Sequence, residues 1–319
     1  MIAVTGAAGF IGSNLAHRLA ESGHQLLLVD HPLTAVKPAN WAGLNAFQFL
    51  DHQHFLQTLD QSQPEAIFHL GACSATTETD WDYLDRNNIG YTRTLWEWCT
   101  ANGRPFNYAS SAATYGDGSK GFDDRTPPSE LIPLNLYGKS KNDFDIWALG
   151  ETASPPKWAG MKFFNVYGPR ETHKGRMASV VWQSYRQIRE TGEVKLFRSN
   201  DPAYSDGGQT RDFVYVHDCI DHMLWLWQSK APNAIYNSGT GEPRTFLDLA
   251  TATFTALGKT PNIRFIDMPV DLAGKYQNFT KAEMTKLRSV GYDRPATTLE
   301  AGVAATVQWL ERNPVRSAI

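Results

Sequence analysis

The stretch Met1-Ile2-Ala3-Val4-Thr5-Gly6-Ala7-Ala8-Gly9-Phe10-Ile11-Gly12 decides the fold of this chain. Its first residues are apolar and partly β-branched from Ile2 to Val4, which predicts a buried strand. Three glycines follow at three-residue spacing, and the apolar residues beyond them recur at helical spacing through about Ser22. The stretch therefore predicts a strand, a tight glycine turn and a helix, in that order.

The glycine turn and the strand after it predict a dinucleotide site. Gly6 permits the sharp turn, Gly9 lets the backbone approach a pyrophosphate, and Gly12 lets the helix lie on the strand. Amide groups at the helix start favour the phosphates. Residues 26–29 predict a second buried strand that ends at Asp30, and an acid about 20 residues past the glycines commonly binds an adenosine ribose hydroxyl. The alternative is an ordinary glycine-rich turn.

Composition and charge describe an ordinary globular chain of 319 residues, 42% of them hydrophobic and 20% charged. A net charge of −3 excludes a general attraction to nucleic acid or to anionic membranes. No apolar run approaches the roughly 20 residues of a membrane span, and the chain opens directly on a strand, so we expect a cytoplasmic protein. Three cysteines suit free thiols in a reducing compartment.

The segment from His217 to His222 contains two histidines, two aspartates and a cysteine, and it could be taken for a metal cluster. Its histidines are five residues apart, which does not place them on one helical face. We therefore expect no metal site, and we interpret Asp218 as the N-cap of the helix that follows.

Strands and helices alternate along the first part of the chain, which is typical of a parallel sheet with helices on both faces. The predicted fold class is α/β: a Rossmann-type doubly wound parallel sheet with a smaller C-terminal α/β substrate-binding lobe. We assign 1–170 to the Rossmann domain, with 212–235 returning to it, and 171–211 and 236–319 to the lobe. Further predicted strands are 46–50, 66–72, 106–109 and 211–216, and further predicted helices are 55–59, 81–100, 218–227, 246–257 and 299–310.

The second signal is the pair Tyr137 and Lys141, which are four residues apart and therefore share one face of a helix. A free tyrosine has a pKa of about 10 and is a poor base at neutral pH. A nearby ammonium and a positive nicotinamide ring would stabilise the phenolate and lower that pKa. Ser111 follows a predicted strand, where its hydroxyl could bond the reacting oxygen. The alternative is a surface tyrosine and lysine on a helix.

These features together resemble the extended short-chain dehydrogenase/reductase family, which includes NAD-dependent epimerases and dehydratases. The matching marks are Thr5 to Gly12, Ser110-Ser111-Ala112, and Tyr137 with Lys141. The resemblance covers essentially the whole chain. It implies a Rossmann domain, a tightly held nicotinamide cofactor and, often, a nucleotide-sugar substrate.

Further segments are similar to the ADP-L-glycero-D-manno-heptose 6-epimerases within that family. The most specific is His173-Lys174-Gly175 followed by Met177-Ala178-Ser179, because most other nucleotide-sugar epimerases lack a lysine there. The other matching segments are Gly71-Ala72-Cys73-Ser74, Ala109 to Gly116, Phe164 to Glu171, Arg211 to Val216, and Tyr276-Gln277 with Phe279-Thr280. The resemblance implies an isomerase of lipopolysaccharide core biosynthesis that works as a homo-oligomer, with a pentamer as one form.

The implied reaction interconverts ADP-D-glycero-β-D-manno-heptose and ADP-L-glycero-β-D-manno-heptose by transient oxidation at C6 of the heptose, with bound NADP. Two opposed orientations of C6 favour two acid/base groups, one on each side. The resemblance implies Tyr137 as the first group and Lys174 as the second, provided that burial lowers the pKa of the lysine. The alternative for Lys174 is a phosphate-binding or surface lysine. Ser111 and Lys141 complete the implied catalytic set.

The resemblance also carries binding residues over by matched position. The implied cofactor-binding residues are Gly6, Gly9, Phe10, Ile11, Gly12, Asp30, His31, Lys37, His52, Leu70, Gly71, Ala72, Cys73, Ser74, Asn87, Tyr137, Lys141, Val166 and Lys174. The implied substrate-binding residues are Asn165, Arg176, Gln183, Phe197, Arg198, Ser199, Asn200, Arg211 and Tyr276. Arg211 also suits an ADP phosphate, since a guanidinium can bind phosphate through two parallel hydrogen bonds. Its alternative is a structural pairing with Asp212 or another neighbour.

Several of these positions depart from the family. Arg176, Gln183, His52 and Leu70 replace the usual residues, and the loop that ends at 210 is longer and more basic. These departures bear on the sugar and cofactor contacts and leave the chemistry alone. Asp30 favours NAD, because a carboxylate repels a 2′-phosphate. Lys37 and the family resemblance favour NADP, which we predict.

Two other functions stay open. Another nucleotide-sugar enzyme of this fold would differ locally: a 4-epimerase usually lacks the Lys174 segment, and a dehydratase carries acids where this chain has Ala112 and Ala113. The second is a cofactor-binding protein without turnover, which the presence of Ser111, Tyr137 and Lys174 disfavours.

Overall fold

The computed structural model describes residues 1–31, 37–45, 47–269 and 277–314, except for the side chains at 37 and 38. Its strands are β1 (Ile2–Thr5), β2 (Leu26–Asp30), β3 (Phe47–Asp51), β4 (Ala66–His69), β5 (Phe106–Ser111), β6 (Trp158–Phe163), β7 (Asn165–Tyr167), β8 (Val194–Phe197), β9 (Thr210–Arg211), β10 (Phe213–Tyr215), β11 (Ala234–Ser238), β12 (Arg244–Thr245) and β13 (Ile263–Ile266). Its α-helices are α1 (Phe10–Glu21), α2 (His52–Gln57), α3 (Leu59–Ser62), α4 (Trp81–Leu84), α5 (Tyr91–Ala101), α6 (Leu136–Gly150), α7 (Val180–Thr191), α8 (Val216–Gln228), α9 (Phe246–Ala256), α10 (Thr285–Ser289) and α11 (Leu299–Arg312).

The main sheet of the described chain has seven parallel strands in the order β11-β6-β5-β4-β1-β2-β3. Val4 of β1 lies between Leu28 of β2 and Phe68 of β4. The strand order reverses beside β1, and ligands of doubly wound sheets bind at the carboxyl ends of the strands at such a point. The predicted Rossmann-type α/β fold is confirmed.

The chain forms two compact units, each built from separate segments. Unit 1 comprises Met1–Phe163, Ile220–Ser238 and Thr285–Asp293, and it contains the main sheet. Unit 2 comprises Phe164–Cys219, Gly239–Met284 and Arg294–Ile319. Their assignment to cofactor and substrate binding stays a prediction.

The core of unit 1 is rich in aromatic side chains. Trp96 of α5 is 1% exposed, and its ring lies 5.0 Å from Trp158 and 6.0 Å from Phe106, between centroids. Phe144 of α6 packs edge-on against Tyr108 at 4.8 Å. This packing fixes α6 against β5, which matters because both elements carry predicted catalytic residues.

The predicted helix 81–100 is interrupted by a π-helical turn at Asp85–Gly90. Asn88, in this turn, accepts a hydrogen bond from the Cys73 amide at 2.8 Å and donates to the Cys73 carbonyl and to Ser140 Oγ. From this wider turn, the buried side-chain amide of Asn88 forms hydrogen bonds with both the loop after β4 and helix α6. π-turns of this kind are frequent at functional sites.

Unit 2 contains three two-stranded sheets within the described residues: β7 with β10, β9 with β12, and β8 with β13. The predicted strand 211–216 is wrong as a single element, because β9 and β10 belong to different sheets. Between them lies Asp212, whose buried carboxylate accepts hydrogen bonds from the Thr240 amide and hydroxyl and from the Gly241 and Ala282 amides. These bonds turn the chain from one sheet to the other.

Two smaller findings concern the histidine-rich segment and the membrane. α8 begins at Val216, so Asp218 lies in its first turn; the N-cap interpretation is wrong, and the carboxylate accepts hydrogen bonds from Thr297 instead. Within the ranges that the structure covers, no group of three or more His, Cys, Asp or Glu side chains could hold a metal ion. No helix in those ranges combines the length and apolar character needed to cross a bilayer.

Candidate active site

The glycine turn between β1 and α1 has no room for side chains at two positions. Gly6 has a φ of +66°, and a Cβ there would lie 2.6 Å from the Gly71 amide nitrogen. A Cβ on Gly12 would lie 2.2 Å from the Gly6 carbonyl oxygen. Backbone from β1, α1 and the end of β4 therefore meets at distances that only glycine allows. In Rossmann folds a glycine turn of this kind lets a pyrophosphate approach the backbone closely.

Asp30 lies at the end of β2, directly beside this turn. Its carboxylate accepts hydrogen bonds from the Ala8 amide at 2.9 Å and from the His31 amide at 2.8 Å. The acid is 5% exposed, and these bonds orient it at the edge of the turn. This is the position at which Rossmann folds bind a ribose hydroxyl.

Asn40 and Trp41, which lie after β2, support the glycine turn, and the sequence analysis missed both. The Trp41 indole N–H donates to the Ala7 carbonyl at 2.7 Å, and the Asn40 amide donates to the Ala8 carbonyl at 2.9 Å. Both carbonyls of the turn are thereby hydrogen-bonded within the protein. Nothing in the local sequence indicates these bonds, because more than 30 residues separate each donor from its acceptor.

A cavity of about 460 Å³ lies near the carboxyl ends of β2 and β3. The His31 and His52 rings lie 4.0 Å apart between centroids. Asp51 lies 3.3 Å from His52 Nδ1. The cavity is lined by His31, Asp51, His52, Gln53, Tyr83, Arg86 and Asn87. Three predicted cofactor residues, His31, His52 and Asn87, therefore come together here, while the side chain of Lys37 lies outside the described atoms.

The end of β4 meets the glycine turn through His69 and Thr5. The His69 ring bridges Thr5 Oγ1 at 2.6 Å and Thr92 Oγ1 at 2.9 Å, and Thr5 Oγ1 accepts the Gly71 amide at 3.1 Å. Burial lowers the pKa of His69 to about 3, so the ring is neutral at physiological pH. The predicted cofactor residues 70–74 follow directly, and this neutral ring anchors their start.

Ser111, Tyr137 and Lys141 come together at the carboxyl end of β5. Ser111 ends the strand, while the other two share one face of α6, whose N-cap Asn135 accepts the Gly138 amide at 2.7 Å. Lys141 Nζ donates to the Ala109 carbonyl of β5 at 2.8 Å. The arrangement places a hydroxyl, a phenol and an ammonium in one buried cluster.

In this cluster, burial shifts each pKa in the direction that favours the neutral form of the group. It raises the pKa of Tyr137, and a hydrogen bond from Ser111 acts in the opposite direction. It lowers the pKa of Lys141 to about 8. The sequence analysis expected a lowered tyrosine pKa, and the protein groups alone give the reverse because desolvation of the phenolate outweighs the serine hydrogen bond.

Lys174 lies in unit 2, in a 3₁₀ segment at Thr172–Met177 with a break at Gly175, whose φ is +54°. Burial lowers its pKa, and the Glu171 carboxylate acts against that shift. Glu171 is 1% exposed and accepts hydrogen bonds from Ser179 Oγ at 2.6 Å and from the Gly168 amide at 3.2 Å. Glu171 thus links the two ends of residues 168–179, which we call the braced lysine loop. The sequence analysis did not single out this glutamate.

The predicted substrate residues that the structure describes lie in unit 2, and they differ in their hydrogen-bond partners. Gln183 donates to the Gly175 carbonyl at 2.8 Å, beside exposed Arg176. Arg211 donates to the Thr210 carbonyl at 3.0 Å and to the Gln277 carbonyl. The neighbouring Asp212 carboxylate accepts hydrogen bonds from Thr240, Gly241 and Ala282. The bond to Thr210 is a structural contact with a neighbour, as the alternative for Arg211 allowed, and the phosphate-binding role stays a prediction.

The remaining substrate candidates are distributed over β7, β8 and the loop after β8. Asn165 Oδ1 accepts a hydrogen bond from Thr280 at 3.3 Å. Val166, a predicted cofactor residue next to it on β7, pairs with Val214. Arg198 forms an exposed ion pair with Asp267 at 2.8 Å. Phe197 ends β8, Ser199 and Asn200 follow Arg198, and Tyr276 lies outside the described residues.

Comparisons with known proteins agree with this architecture. The model of the NAD dependent epimerase/dehydratase family matches residues 2–239. An ADP-L-glycero-D-manno-heptose-6-epimerase of Fusobacterium nucleatum is 46% identical to this chain, and the alignment covers 97% of each of the two chains. The crystal structure of the Helicobacter pylori ADP-L-glycero-D-manno-heptose-6-epimerase superposes with a TM-score of 0.84 at 27% identity, over 97% of this chain and 96% of that one.

A further solved structure carries its ligands. The UDP-glucuronic acid 4-epimerase of Bacillus cereus, in complex with UDP-glucuronic acid and NAD, superposes with a TM-score of 0.80 at 26% identity, over 98% of this chain and 99% of that one. With three quarters of its length matched by the family model and its glycine turn and Ser-Tyr-Lys cluster built as described, the chain belongs to the NAD dependent epimerase/dehydratase family.

Proposed function

We propose that this protein is an isomerase that interconverts ADP-D-glycero-β-D-manno-heptose and ADP-L-glycero-β-D-manno-heptose at C6 of the sugar. The observation that carries the proposal is the braced lysine loop at 168–179, present in a chain that is 46% identical to an enzyme named for this activity. The reaction would serve lipopolysaccharide core biosynthesis. We also expect a cytoplasmic homo-oligomer, which rests on the resemblance alone.

The residues of unit 1 fit a nicotinamide dinucleotide. Gly6 and Gly12 allow the close backbone packing of the turn with which Rossmann folds bind a pyrophosphate, and Asp30 is oriented beside it. When bound, the cofactor supplies reversible hydride exchange with C6 of the heptose. The family matched by this chain is NAD dependent, and a related epimerase is solved with NAD.

We assign Tyr137 as the proton-transfer group on one side of C6. As phenolate it takes the proton of the C6 hydroxyl, and as phenol it returns one to the C6 ketone oxygen. Ser111, which already hydrogen-bonds the phenol, can donate to the same sugar oxygen. We propose that the Lys141 ammonium, one helical turn from Tyr137 on α6, favours the phenolate by its charge and so counteracts the burial that raises the pKa of Tyr137.

We assign Lys174 as the proton-transfer group for the opposite orientation of C6. An epimerisation must add hydrogen to the face opposite to the one that lost it, so the ketone oxygen changes its surroundings between the two steps. A second acid/base group then serves the new orientation. Burial lowers the pKa of Lys174, which is the direction this role requires, and the Glu171 carboxylate acts against that shift.

For substrate binding we propose that Arg211 lies against a phosphate of the ADP group. Its guanidinium donates hydrogen bonds to two backbone carbonyls, which orient it. Arg176 and Gln183 stand where the family has smaller or different residues, so they are our candidates for contacts particular to this chain. Asn165, Arg198 and the neighbours of Arg198 complete the proposed set.

The function is tested with the purified protein and ADP-D-glycero-D-manno-heptose, with the two epimers separated by chromatography. We expect conversion to a mixture of both epimers without added cofactor, because the cofactor is retained. A UDP-hexose assayed in parallel is the control for a 4-epimerase or dehydratase. An unchanged ADP-heptose would remove the proposal, and conversion of the UDP-hexose alone would favour the first alternative.

We propose NADP as the resident cofactor. The cavity near Asp30 is lined by His31, His52 and Arg86, which are basic groups that could face a 2′-phosphate, although Asp51 and Asp30 oppose it. Mass spectrometry of the nucleotide released from denatured enzyme gives the answer directly. We expect NADP(H), and an extract that contains NAD(H) only would overturn this assignment while leaving the epimerase proposal intact.

A further inference from the structure

A buried ion pair lies behind the Ser-Tyr-Lys cluster. Lys162 Nζ of β6 lies 3.0 Å from Asp145 Oδ2 of α6, and the two side chains are 2% and 0% exposed. Burying both charges carries a large desolvation penalty, and apolar residues in such a place are often as stable. The pair therefore calls for a role other than stabilising the fold.

The contacts of the pair connect the elements that carry the catalytic candidates. Asp145 accepts hydrogen bonds from Tyr108 at 2.9 Å and from Ser110 Oγ at 2.7 Å, both on β5. Lys162 donates to Thr114 Oγ1 at 2.6 Å, and that hydroxyl donates to the Ser111 carbonyl at 2.8 Å. The residue before Ser111 and its own carbonyl are thus both fixed by the network.

The same pair acts on Lys141. Asp145 follows Lys141 by four residues on α6, so the two lie on one face of the helix. Burial lowers the pKa of Lys141, and the negative charge of Asp145 works against that change. The Lys141 ammonium itself is directed to β5 by its bond to the Ala109 carbonyl.

Among the residues that the structure describes, the other ionisable groups around Lys141 are histidine, cysteine and tyrosine side chains. His69, at the end of β4, is neutral because burial lowers its pKa to about 3. The thiol of Cys73, after β4, is protonated at neutral pH because burial raises its pKa. Tyr137, on the same helix, and Tyr108, on β5, are buried phenols with raised pKa values. Asp145 is therefore the carboxylate acting on Lys141 among these neighbours, and Lys162 is its counter-ion on β6.

We propose that Asp145, braced by Lys162, is a positioning residue: it keeps the Lys141 ammonium charged beside Tyr137 and holds the Ser111 end of β5 in register with α6. This inference rests on the proposed function, in which the charged form of Lys141 favours the Tyr137 phenolate. Activity should then be lost as pH rises through the pKa of Lys141, and Asp145 sets where that loss occurs.

The first test is the pH profile of kcat for Asp145→Asn with ADP-heptose as substrate. Removing the negative charge favours neutral Lys141, so we expect the midpoint of the high-pH loss to fall by about one pH unit or more. Asp143→Asn is the matched control, because Asp143 forms an exposed ion pair with Lys139 four residues before it on the same helix. Its profile should equal that of the wild type.

The second variant separates the proposed role from a purely structural one. In Asp145→Asn/Lys162→Met both charges are removed, while the asparagine can still form hydrogen bonds with Tyr108 and Ser110. The double variant should therefore fold, with a thermal midpoint near that of the wild type. We expect its high-pH midpoint to fall as in Asp145→Asn. A wild-type profile in this folded double variant would overturn the inference.

A direct titration makes the result independent of turnover. The ¹³Cε signal of Lys141, assigned with Lys141→Arg in lysine-labelled holoenzyme, should titrate at lower pH in Asp145→Asn than in the wild type. An unchanged titration refutes the positioning role. A wild-type protein that leaves ADP-heptose unchanged refutes the proposed function instead, so the two failures are distinguishable.

Discussion

At the residue scale, burial acts on the proposed acid/base groups in opposite senses. It raises the pKa of Tyr137 and lowers the pKa of Lys174 and Lys141, because in each case the neutral form loses less on leaving water. The two lysines thereby move towards the pH range in which they can exchange protons. The pKa of Tyr137 moves away from that range, so its proposed role as a base requires a neighbouring positive charge.

Tyr137→Phe and Lys174→Met should each reduce epimerisation by about 10²- to 10⁴-fold while leaving bound cofactor in place, since each removes one acid/base group. The double variant should do no redox chemistry. Conversion of ADP-heptose is followed by chromatography, and cofactor content by absorbance after denaturation. Tyr185→Phe, which removes a hydrogen bond with exposed Glu311, is the matched control for the phenol change. Wild-type turnover in either single variant would exclude that residue as an essential base.

At the element scale, the cofactor turn combines a local requirement with distant support. Gly6 and Gly12 are required because backbone atoms occupy the space of their side chains. The neighbouring carbonyls are satisfied by Asn40 and Trp41, which lie beyond β2 in the chain. The turn is thus shaped by its own glycines and is braced by residues of the β2–β3 connection.

Gly12→Ala should destabilise the protein by about 1–3 kcal/mol and weaken cofactor retention, because its Cβ would lie 2.2 Å from a backbone oxygen that no rotamer change can relieve. Denaturant unfolding measures the first effect and cofactor dissociation on dilution the second. Gly150→Ala is the control, because a Cβ there meets nothing within 4 Å at the end of α6. It should change stability by less than about 1 kcal/mol, in the favourable direction. Equal behaviour of the two variants would contradict this account of the turn.

At the scale of the whole molecule, unit 1 is assembled from three chain segments, and its interior contains hydrogen-bonded polar side chains. His222 of α8 hydrogen-bonds Ser238 of β11 at 2.9 Å and packs edge-on against Tyr292 at 4.8 Å, which ties all the later segments together. His69 links β1 to α5 through its hydrogen bonds with Thr5 and Thr92. Burial lowers the pKa of both rings to about 3.

These two neutral histidines predict acid sensitivity. Their folded pKa lies below the unfolded value of about 6.5, so their contribution is complete above pH 6.5 and is lost as pH falls from there towards 3. Between pH 6.5 and 5 each should cost about 2 kcal/mol of unfolding free energy. Urea unfolding at several pH values measures this. His222→Gln should lose about half of this pH dependence, and a slope equal to that of the wild type would contradict the prediction.

The sequence by itself determined the features that depend on short spacing. The glycine turn, the helix face shared by Tyr137 and Lys141, and the alternation of strand and helix all follow from local backbone geometry and periodicity, and the Rossmann-type sheet was predicted from them. The resemblance to known epimerases then assigned roles to these residues, which remain proposals. Lys37 and Tyr276 lie where the structure gives no side chain.

Only the tertiary structure decided which buried polar groups pair. The ion pair of Asp145 with Lys162, the Trp41 bond to the glycine turn, the Asn88 side chain in its π-turn and the Asp212 carboxylate between two sheets join residues that are distant in sequence. No periodicity reports such pairs, because each polar group is satisfied by whichever partner the packed interior brings within hydrogen-bond distance. Spacing along the chain sets the elements, and burial selects their polar partners.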